Sequence, residues 1–496
     1  METILSSFLL IFTVKNIFIL IFGTLFGLVL GAIPGLGSMI LLALLLPITY
    51  FLEPAAAILL MLSAYQGGEY GGSISSIILG IPGTPSASAT VLDGYKLALN
   101  ESPGVALAYS LQASFIGAIF GGLVLLLLSA PLASFALKWS APEYFLVGVL
   151  GIIAVAALSS KDIVKSVISV LLGLMAATIG LDIFSGLERF TMGRIELIHG
   201  LSIISLIIGV FGIPEIFKMM TSDSLGQKLE YDNLSGKLNF NKRLKVMKPT
   251  ILGAITGSII GIFPGLGSGT SSWFGYALAK KTSKDPKSFG EGNPDGIVGP
   301  EAANNAAVGG ALLPLLTLGI PGSPAIAIIM GAFIMQGIQP GPSVFSTEKV
   351  LVYTILIGFI VSSFIMLGVG RLLTPLFARV VIIPNHILAP IVLIITIIGI
   401  YVSEPLLINL WVALIIGVSA YYLVKIEYSA PSFVLAFVLG PIIEKNFRRA
   451  LQMSDGDFSI FYTRNISIAI IIVIAMFIIY PVIMYIHKKY RRKAIS

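Results

Sequence analysis

The chain has 496 residues, of which 56% are hydrophobic and 11% charged, with 31 Lys and Arg against 24 Asp and Glu. A soluble globular protein carries roughly 25% charged residues, so this chain has too few charges to cover a water-facing surface of its size. A soluble multidomain enzyme and a disordered chain are both excluded. A mean hydropathy of +0.98 gives the class, a polytopic membrane protein. The absence of Cys removes disulfides and thiolate chemistry, and His199, His386 and His487 are scattered without HExxH spacing, so no metal site and no cofactor is expected. No GxxxxGK[ST] loop is present. The net charge of +7 reads as basic cytoplasmic loops rather than nucleic-acid binding.

The chain begins METILSSFLLIFTVKN, without a basic n-region or a small-residue cleavage site, and is read as uncleaved. Its apolar run Ile4–Val14 is too short for a ~30 Å core at ~1.5 Å per residue; it is expected at the interface or as an extension of the first helix. Clear spans follow at Asn16–Ile33, Ser38–Leu52, Val105–Leu137, Tyr144–Ser160, Ser166–Leu181, Leu197–Phe217, Val350–Gly370, Ile387–Ser403, Pro405–Val424, Tyr428–Ile443 and Ile466–Ile486. Shorter ones, broken by Gly and Pro, are Ala55–Gly68, Ser73–Ile81, Thr250–Phe263, Ala306–Ile320 and Pro324–Gly337. About 12 to 14 helical segments are expected, and the broken ones carry the functional information, because irregular backbone in a membrane is tolerated only where protein or a cavity surrounds it.

A basic stretch, Lys218–Lys248, interrupts the chain, and the tail His487–Ser496 holds Lys488, Lys489, Arg491, Arg492 and Lys493 without an acid. Both are expected on the cytoplasmic side of the cell membrane. The polar loop Glu444–Asn465, one span before the tail, is then expected on the opposite side.

Gly23–Ser38, GTLFGLVLGAIPGLGS, recurs as Gly253–Ser268, GAITGSIIGIFPGLGS, with eight of sixteen positions identical at an offset of 230. Leu79–Pro85, LGIPGTP, recurs as Leu318–Pro324, LGIPGSP, at an offset of 239. Two motifs in the same order at nearly the same spacing indicate duplication. Glu215 and Glu444 close the halves at an offset of 229, and the loops after them fall on opposite sides by charge, which points to an inverted repeat. The fold class is therefore an all-α polytopic membrane protein in two homologous halves, with discontinuous Pro-Gly-broken helices. Its parts are a first membrane repeat at 1–217, a cytoplasmic linker at 218–248, a second repeat at 249–465, and an extra C-terminal transmembrane helix with a basic tail at 466–496.

Gly23, Gly27 and Gly31, like Gly253, Gly257 and Gly261, lie on one helix face and permit close helix packing. The breaks that follow, at Pro34, Gly35, Gly37 and Ser38 and at Pro264, Gly265, Gly267 and Ser268, carry more chemistry. Pro removes a donor and Gly permits left-handed backbone, so a helix interrupted there exposes carbonyls for Na⁺ and N–H groups for a carboxylate. Pro82, Gly83 and Thr84 and their counterparts Pro321, Gly322 and Ser323 read the same way. A plain tight turn is the structural alternative at each motif. Beside the breaks lie Ser73, in Gly67–Ser73, and Asn304 and Asn305; the amides of the two Asn donate and accept and are costly in apolar surroundings unless paired, and helix capping is the alternative role of these Asn. Asn305 falls at the repeat position of Gln66. Glu69 and Glu301 are each a solvated loop residue, an ion ligand or a proton carrier. Asp93-Gly-Tyr95 reads as a surface turn, and His386 as an interfacial side chain.

GAIPGLGS, EYGGSISSIILGIPGTPSASATVLDGY and PEAANNAAVGGALLPLLTLGIPGSP closely resemble the large membrane subunit of tripartite tricarboxylate transporters, the TctA family. The likeness extends over nearly the whole chain, through FGEGNPDGIVGPE and LGPIIEKNFRRAL, and is looser after the first repeat motif, at Lys96 and Asn100–Pro103. The resemblance implies secondary uptake of organic anions such as citrate, coupled to Na⁺ or H⁺. It also implies a small membrane subunit and an extracytoplasmic solute-binding protein as partners. The residues themselves support a permease that binds a small organic anion on backbone N–H groups at the four Pro-Gly motifs. Ser38, Ser268, Asn304, Asn305 and Glu301 are the candidate ligands of the coupling ion. Rival readings are a stand-alone transporter of another small solute, a passive channel, and an intramembrane enzyme, which would need a nucleophile with a base or metal nearby.

Overall fold

The computed structural model describes residues 2–34, 37–158, 162–221, 236, 238–380, 385–403 and 405–493. Among them the secondary structure is helical apart from a two-residue antiparallel ribbon, Gly180–Leu181 with Glu188–Arg189. Among the described residues, six helices are long and apolar enough to cross a membrane: Val14–Ala32, Pro103–Ala136, Ile203–Thr221, Lys349–Thr374, Leu407–Lys425 and Ala430–Met453. Shorter apolar helices, such as Gly37–Thr49, Met247–Ile262 and Pro324–Met335, accompany them. The protein is therefore a multi-pass helical membrane protein.

The chain divides into two compact units. The larger comprises Met1–Ala133 and Ser202–Tyr421. Its first helix, Glu2–Ile11, is separate from Val14–Ala32, whose start is capped by the Thr13 hydroxyl accepting from the Asn16 N–H. Next along the chain, Pro54–Leu79 is one unbroken 26-residue helix, with Pro at its first turn, where no donor is needed. This corrects the expectation of two short spans, Ala55–Gly68 and Ser73–Ile81. Neighbours leave no room for a side chain at Gly67, Gly68, Gly71 and Gly72: a Cβ on Gly67 or Gly71 would meet the backbone of Thr24 and Leu28, and one on Gly68 or Gly72 the side chains of Leu41 and Thr84. Asp295–Leu318 is likewise continuous and holds Glu301, Asn304 and Asn305 in its interior.

The glycine stripes set the closest helix contacts. A Cβ on Gly23, Gly27 or Gly31 would collide with the carbonyl oxygens of Leu60, Ala64 and Gly68 in Pro54–Leu79. A Cβ on Gly253, Gly257 or Gly261 would collide with those of Gly299, Ala303 and Ala307 in Asp295–Leu318. The second set of carbonyls follows the first at a constant offset of 239. Small residues thus let two pairs of backbones approach directly, which is how helices associate where lipid supplies no hydrophobic drive. Both long helices end in the same way, on a left-handed glycine, Gly80 (φ 68°) and Gly319 (φ 73°). In the turns that follow, the Gly83 N–H donates to Gly72 O at 3.2 Å and the Gly322 N–H to Ala311 O at 3.3 Å.

Asp93 is not in a surface turn. It lies in the helix Ser88–Asn100 and is fully buried. Its Oδ1 accepts from the N–H groups of Gly290 (2.9 Å), Gly292 (3.0 Å) and Asn293 (2.8 Å), and its Oδ2 from the Tyr276 hydroxyl (2.9 Å). The hydrophobic signature of this helix is weak, and the turn-like sequence Asp-Gly concealed a side chain whose partners lie almost 200 residues away.

The smaller unit comprises Ser134–Leu201 and Tyr422–Ser496. Its helices Ala141–Leu158 and Ile163–Ala177 pack on Ala430–Met453, and Phe145, Phe447 and Phe461 form a cluster with ring centroids 5.0–5.7 Å apart. Glu444 is helical, not the start of a loop, because Ala430–Met453 runs past it. It is held by Arg189 at 2.7 Å and by Arg448 at 2.8 Å, and Arg448 also binds Asp182 at 2.9 Å. The N–H of Phe184, with Arg448 and Ser185, holds the Asp182 carboxyl well below the usual carboxylate range. Much of the basic linker, residues 222–235 and 237, lies outside the described residues, as do 494–496 of the tail; the side chains of His386 and His487 also fall outside the description.

Candidate functional site: two buried carboxylates without a basic partner

Glu69 projects from the middle of Pro54–Leu79 and is 1% exposed. Its Oε1 accepts from Ser38 Oγ at 2.6 Å and from Ser268 Oγ at 3.2 Å, and its Oε2 from Ser86 Oγ. Ser38 and Ser268 are the second residues of Gly37–Thr49 and Gly267–Thr282, the helices that start after the two PGLGS motifs. The repeated motifs are thus brought together on one carboxylate. Ser323, from the second GIPG motif, lies with Ser268 beside the Tyr65 hydroxyl, itself next to Glu69. Asn304 faces the Glu69 carboxylate from Asp295–Leu318, yet neither its amide nitrogen nor its oxygen completes a hydrogen bond, although the side chain is fully buried.

Glu301 forms a second centre. It is fully buried. Thr90 donates to its Oε1 at 2.5 Å and Ser114 to its Oε2 at 2.9 Å. Ser73 lies beside it with a buried hydroxyl that makes no hydrogen bond. No Lys, Arg or His is among the described partners of either glutamate. Buried carboxylates are ordinarily matched by a cationic side chain, since an unpaired charge in a low-dielectric interior is costly. Here hydroxyls alone supply the partners. Such a site can hold a proton or a small cation.

The other site residues from the sequence fall around these centres. Pro34 lies in the turn after Val14–Ala32, and Gly35 lies outside the described residues. Gly37 (φ 62°) and Gly267 (φ 57°) open their helices in the left-handed region. Gly265 donates its N–H to Gly322 O at 3.0 Å, joining Pro264 and Gly265 to the Pro321–Gly322 turn. Thr84 Oγ1 is 2.9 Å from Ser86 Oγ, in the turn that also holds Pro82 and Gly83. Ser323 caps Pro324–Met335 by accepting from the Ile326 N–H at 3.3 Å. Asn305 donates to Glu301 O at 3.1 Å and leaves its own oxygen without a partner. Its repeat counterpart Gln66 instead joins Lys349–Val380, through Phe359 O at 3.2 Å, Ser363 and Ser362.

Sequence reasoning missed Tyr65, Ser86, Thr90 and Ser114 and did not recognise Glu69 as a centre. The available signal was Glu69 itself, an acid in a long uncharged stretch. The small hydroxyl residues gave none, because Ser and Thr are common in membrane helices.

A polytopic helical protein with buried carboxylates and orphaned amides defines the class, an integral membrane protein with a polar centre. Over residues 17–435 the chain matches the tripartite tricarboxylate transporter TctA family, and it belongs to that family. It is a component of that transporter type. It is similar to an uncharacterised 52.8 kDa protein of the TAR-I ttuC' 3' region of Agrobacterium vitis, with 36% identity over 454 residues, covering 91% of this chain and 90% of the relative. A second uncharacterised protein of that organism, from the TAR-II ttuC' 3' region, is 36% identical over 215 residues, covering 43% of this chain and 89% of its own length. No solved structure matches the chain.

Proposed function

We propose that the protein is a secondary active permease that takes up an organic anion, a di- or tricarboxylate such as citrate, by cation symport with alternating access. The observation that carries this reading is that Ser38 and Ser268 both donate to Oε1 of Glu69 in a core without basic partners. The anion is bound by N–H groups and hydroxyls at the four Pro-Gly motifs and by the free amide of Asn304. The coupling ion, Na⁺ or H⁺, is held by Glu69 with Ser38, Ser268 and Asn304, and at the second centre by Glu301 near Asn305. The cation meets the carboxylates, whereas the anion has no basic side chain among the described partners and gains the bound cation as its counter-charge, so that binding of one favours binding of the other. A passive channel would not need this arrangement, because nothing in a channel has to make binding of one ion depend on another.

The two halves are inverted repeats broken at the Pro-Gly motifs, as in many carriers. The equivalent contacts of the two glycine stripes and the matched Gly80 and Gly319 turns support that reading. The division at 217, 248 and 465, with the 218–248 linker and the tail in the cytoplasm, goes with it. The family supplies the expectation of a small membrane subunit and an extracytoplasmic binding protein. Labelled citrate and succinate uptake into proteoliposomes, with and without the binding protein and under Na⁺ or pH gradients, is the test. Saturable uptake driven by one gradient is expected; if no carboxylate enters under either, the substrate class is wrong. Uptake without the binding protein would favour a stand-alone carrier. Labelling of cysteines placed near Asp232 and Asp455 from the same side would refute the inverted topology.

A further inference from the structure

Apart from the two carboxylates, the larger unit contains a cavity of about 600 Å³ between Pro103–Ala136, Phe240–Lys245, the start of Met247–Ile262 and Lys349–Val380. That volume lies in the range of small-molecule sites, roughly 300–1,000 Å³. Its wall is predominantly aliphatic and aromatic, with Leu107, Leu111, Phe115 and Leu367 among the lining side chains. A soluble di- or tricarboxylate gains nothing from such a wall. Two cations nevertheless line it, Arg243 and Arg371.

Both arginines are exposed, and neither forms an ion pair with a described residue. Arg243 donates its Nε–H to Leu238 O at 3.2 Å, and its terminal nitrogens have no partner among the described residues. Arg371 follows directly on the uncharged stretch Val350–Gly370 of its helix. A guanidinium at the end of an apolar span reaches the headgroup level of the bilayer. Gln112 also lines the cavity, and its buried Oε1 has no partner. An apolar interior with two guanidinium groups that have no acidic partner among the described residues is complementary to an amphiphile that has an aliphatic body and an anionic head, the chemistry by which basic pockets between transmembrane helices select acidic lipids.

We propose that this cavity is a binding site for an anionic phospholipid, with an acyl chain against Leu107, Leu111 and Phe115 and the phosphate on Arg243 and Arg371. The site is separate from the transport reading and does not depend on it. The full-length protein, delipidated in detergent, is titrated with phosphatidylglycerol and with phosphatidylcholine of the same chain length, and bound lipid is counted by native mass spectrometry. Phosphatidylglycerol is expected to bind at least fivefold more tightly. Combined Arg243→Gln and Arg371→Gln should remove the preference, and Ala108→Phe, which fills the apolar wall, should weaken both lipids. The arginines are exposed, so the charge variants should keep the parent's melting temperature. Equal binding of the two lipids, or an unchanged preference in the double variant, overturns the proposal. So does glycerol phosphate binding as tightly as the whole lipid, which would leave the acyl chain no role. Displacement of bound lipid by millimolar citrate also overturns it and makes the cavity a vestibule for the carboxylate.

Discussion

Ser38 and Ser268 stand 230 positions apart and donate to the same atom, Oε1 of Glu69, at 2.6 and 3.2 Å. A hydrogen bond to a charged group contributes about 1.5–3 kcal/mol. Because the two donors share one acceptor, their removals should not add. Ser38→Ala and Ser268→Ala should each reduce the apparent affinity for the coupling cation about tenfold or more, and the double variant should lose less than the product. The cation dependence of initial uptake rates measures this. Strict additivity would mean that the two hydroxyls act at different sites.

Asn304 offers the opposite balance. Both amide atoms are buried and unpartnered, so Asn304→Ala deletes groups that cost about 1–3 kcal/mol while unsatisfied. The melting temperature of the empty protein should hold steady or rise, while uptake falls by more than an order of magnitude. A variant that transports normally would remove Asn304 from the binding site.

Asp93 should behave as a structural residue. Asp93→Ala strands three N–H groups and the Tyr276 hydroxyl; at about 1–3 kcal/mol for each unmet buried group, it should prevent recovery of folded protein. Asp93→Asn keeps one acceptor oxygen and should be intermediate. The yield of folded protein, and thermal unfolding of whatever is recovered, followed by Trp fluorescence, rank them; Asp93→Ala recovered in full with the parent's unfolding curve would show that the loop is held by other contacts.

Glycine position decides whether an added methyl helps. At Gly257 a Cβ collides with the Ala303 carbonyl, whereas at Gly368 it meets nothing within 4 Å. Gly257→Ala should cost about 1–3 kcal/mol through overpacking. Gly368→Ala should be neutral or stabilising by up to about 1 kcal/mol, because it removes a helical glycine. Melting temperatures of the two single variants should therefore move apart; a shared downward shift would rule out close backbone approach as the cause.

In the smaller unit, the depressed pKa of Asp182 sets a pH dependence. The Phe184 N–H, Arg448 and Ser185 favour its ionised form in the folded state. That contribution is present in full above the ordinary Asp pKa of ~3.9 and disappears as the pH falls through the lower folded value. Hydrogen exchange at the Phe184 amide should stay slow at neutral pH and accelerate only in acid. Arg448→Met should move the loss of protection to higher pH, and an unmoved transition would disconnect Arg448 from this carboxylate.

The membrane class and the pairing of PGLGS with PGLGS were legible in the chain, because charge scarcity and exact local repetition survive without knowledge of tertiary contacts. The continuity of Pro54–Leu79 was not. Gly67, Gly68, Gly71 and Gly72 look like breakers when the Val14–Ala32 backbone that packs against two of them is unseen. The role of Asp93 was hidden for a related reason, since its acceptors are satisfied by a loop that begins near residue 288. Ser86, Thr90 and Ser114 carry no local pattern at all; only three-dimensional convergence on Glu69 and Glu301 distinguishes them from other hydroxyls.

The glycine stripes also constrain how the molecule can move. Val14–Ala32 against Pro54–Leu79, and Met247–Ile262 against Asp295–Leu318, meet backbone to backbone along the stripes, apart from the Ser63 hydroxyl beside Gly23, so few rotamers there can rearrange. Each pair is therefore a stiff girder. Flexibility is left to the joints where hydroxyls meet carboxylates, and those bonds can be exchanged one at a time for bonds to a bound ion or solute. Cargo at Glu69 would then act as the joint itself, and the stiffness of the girders would carry a local exchange of hydrogen bonds across the thickness of the bilayer.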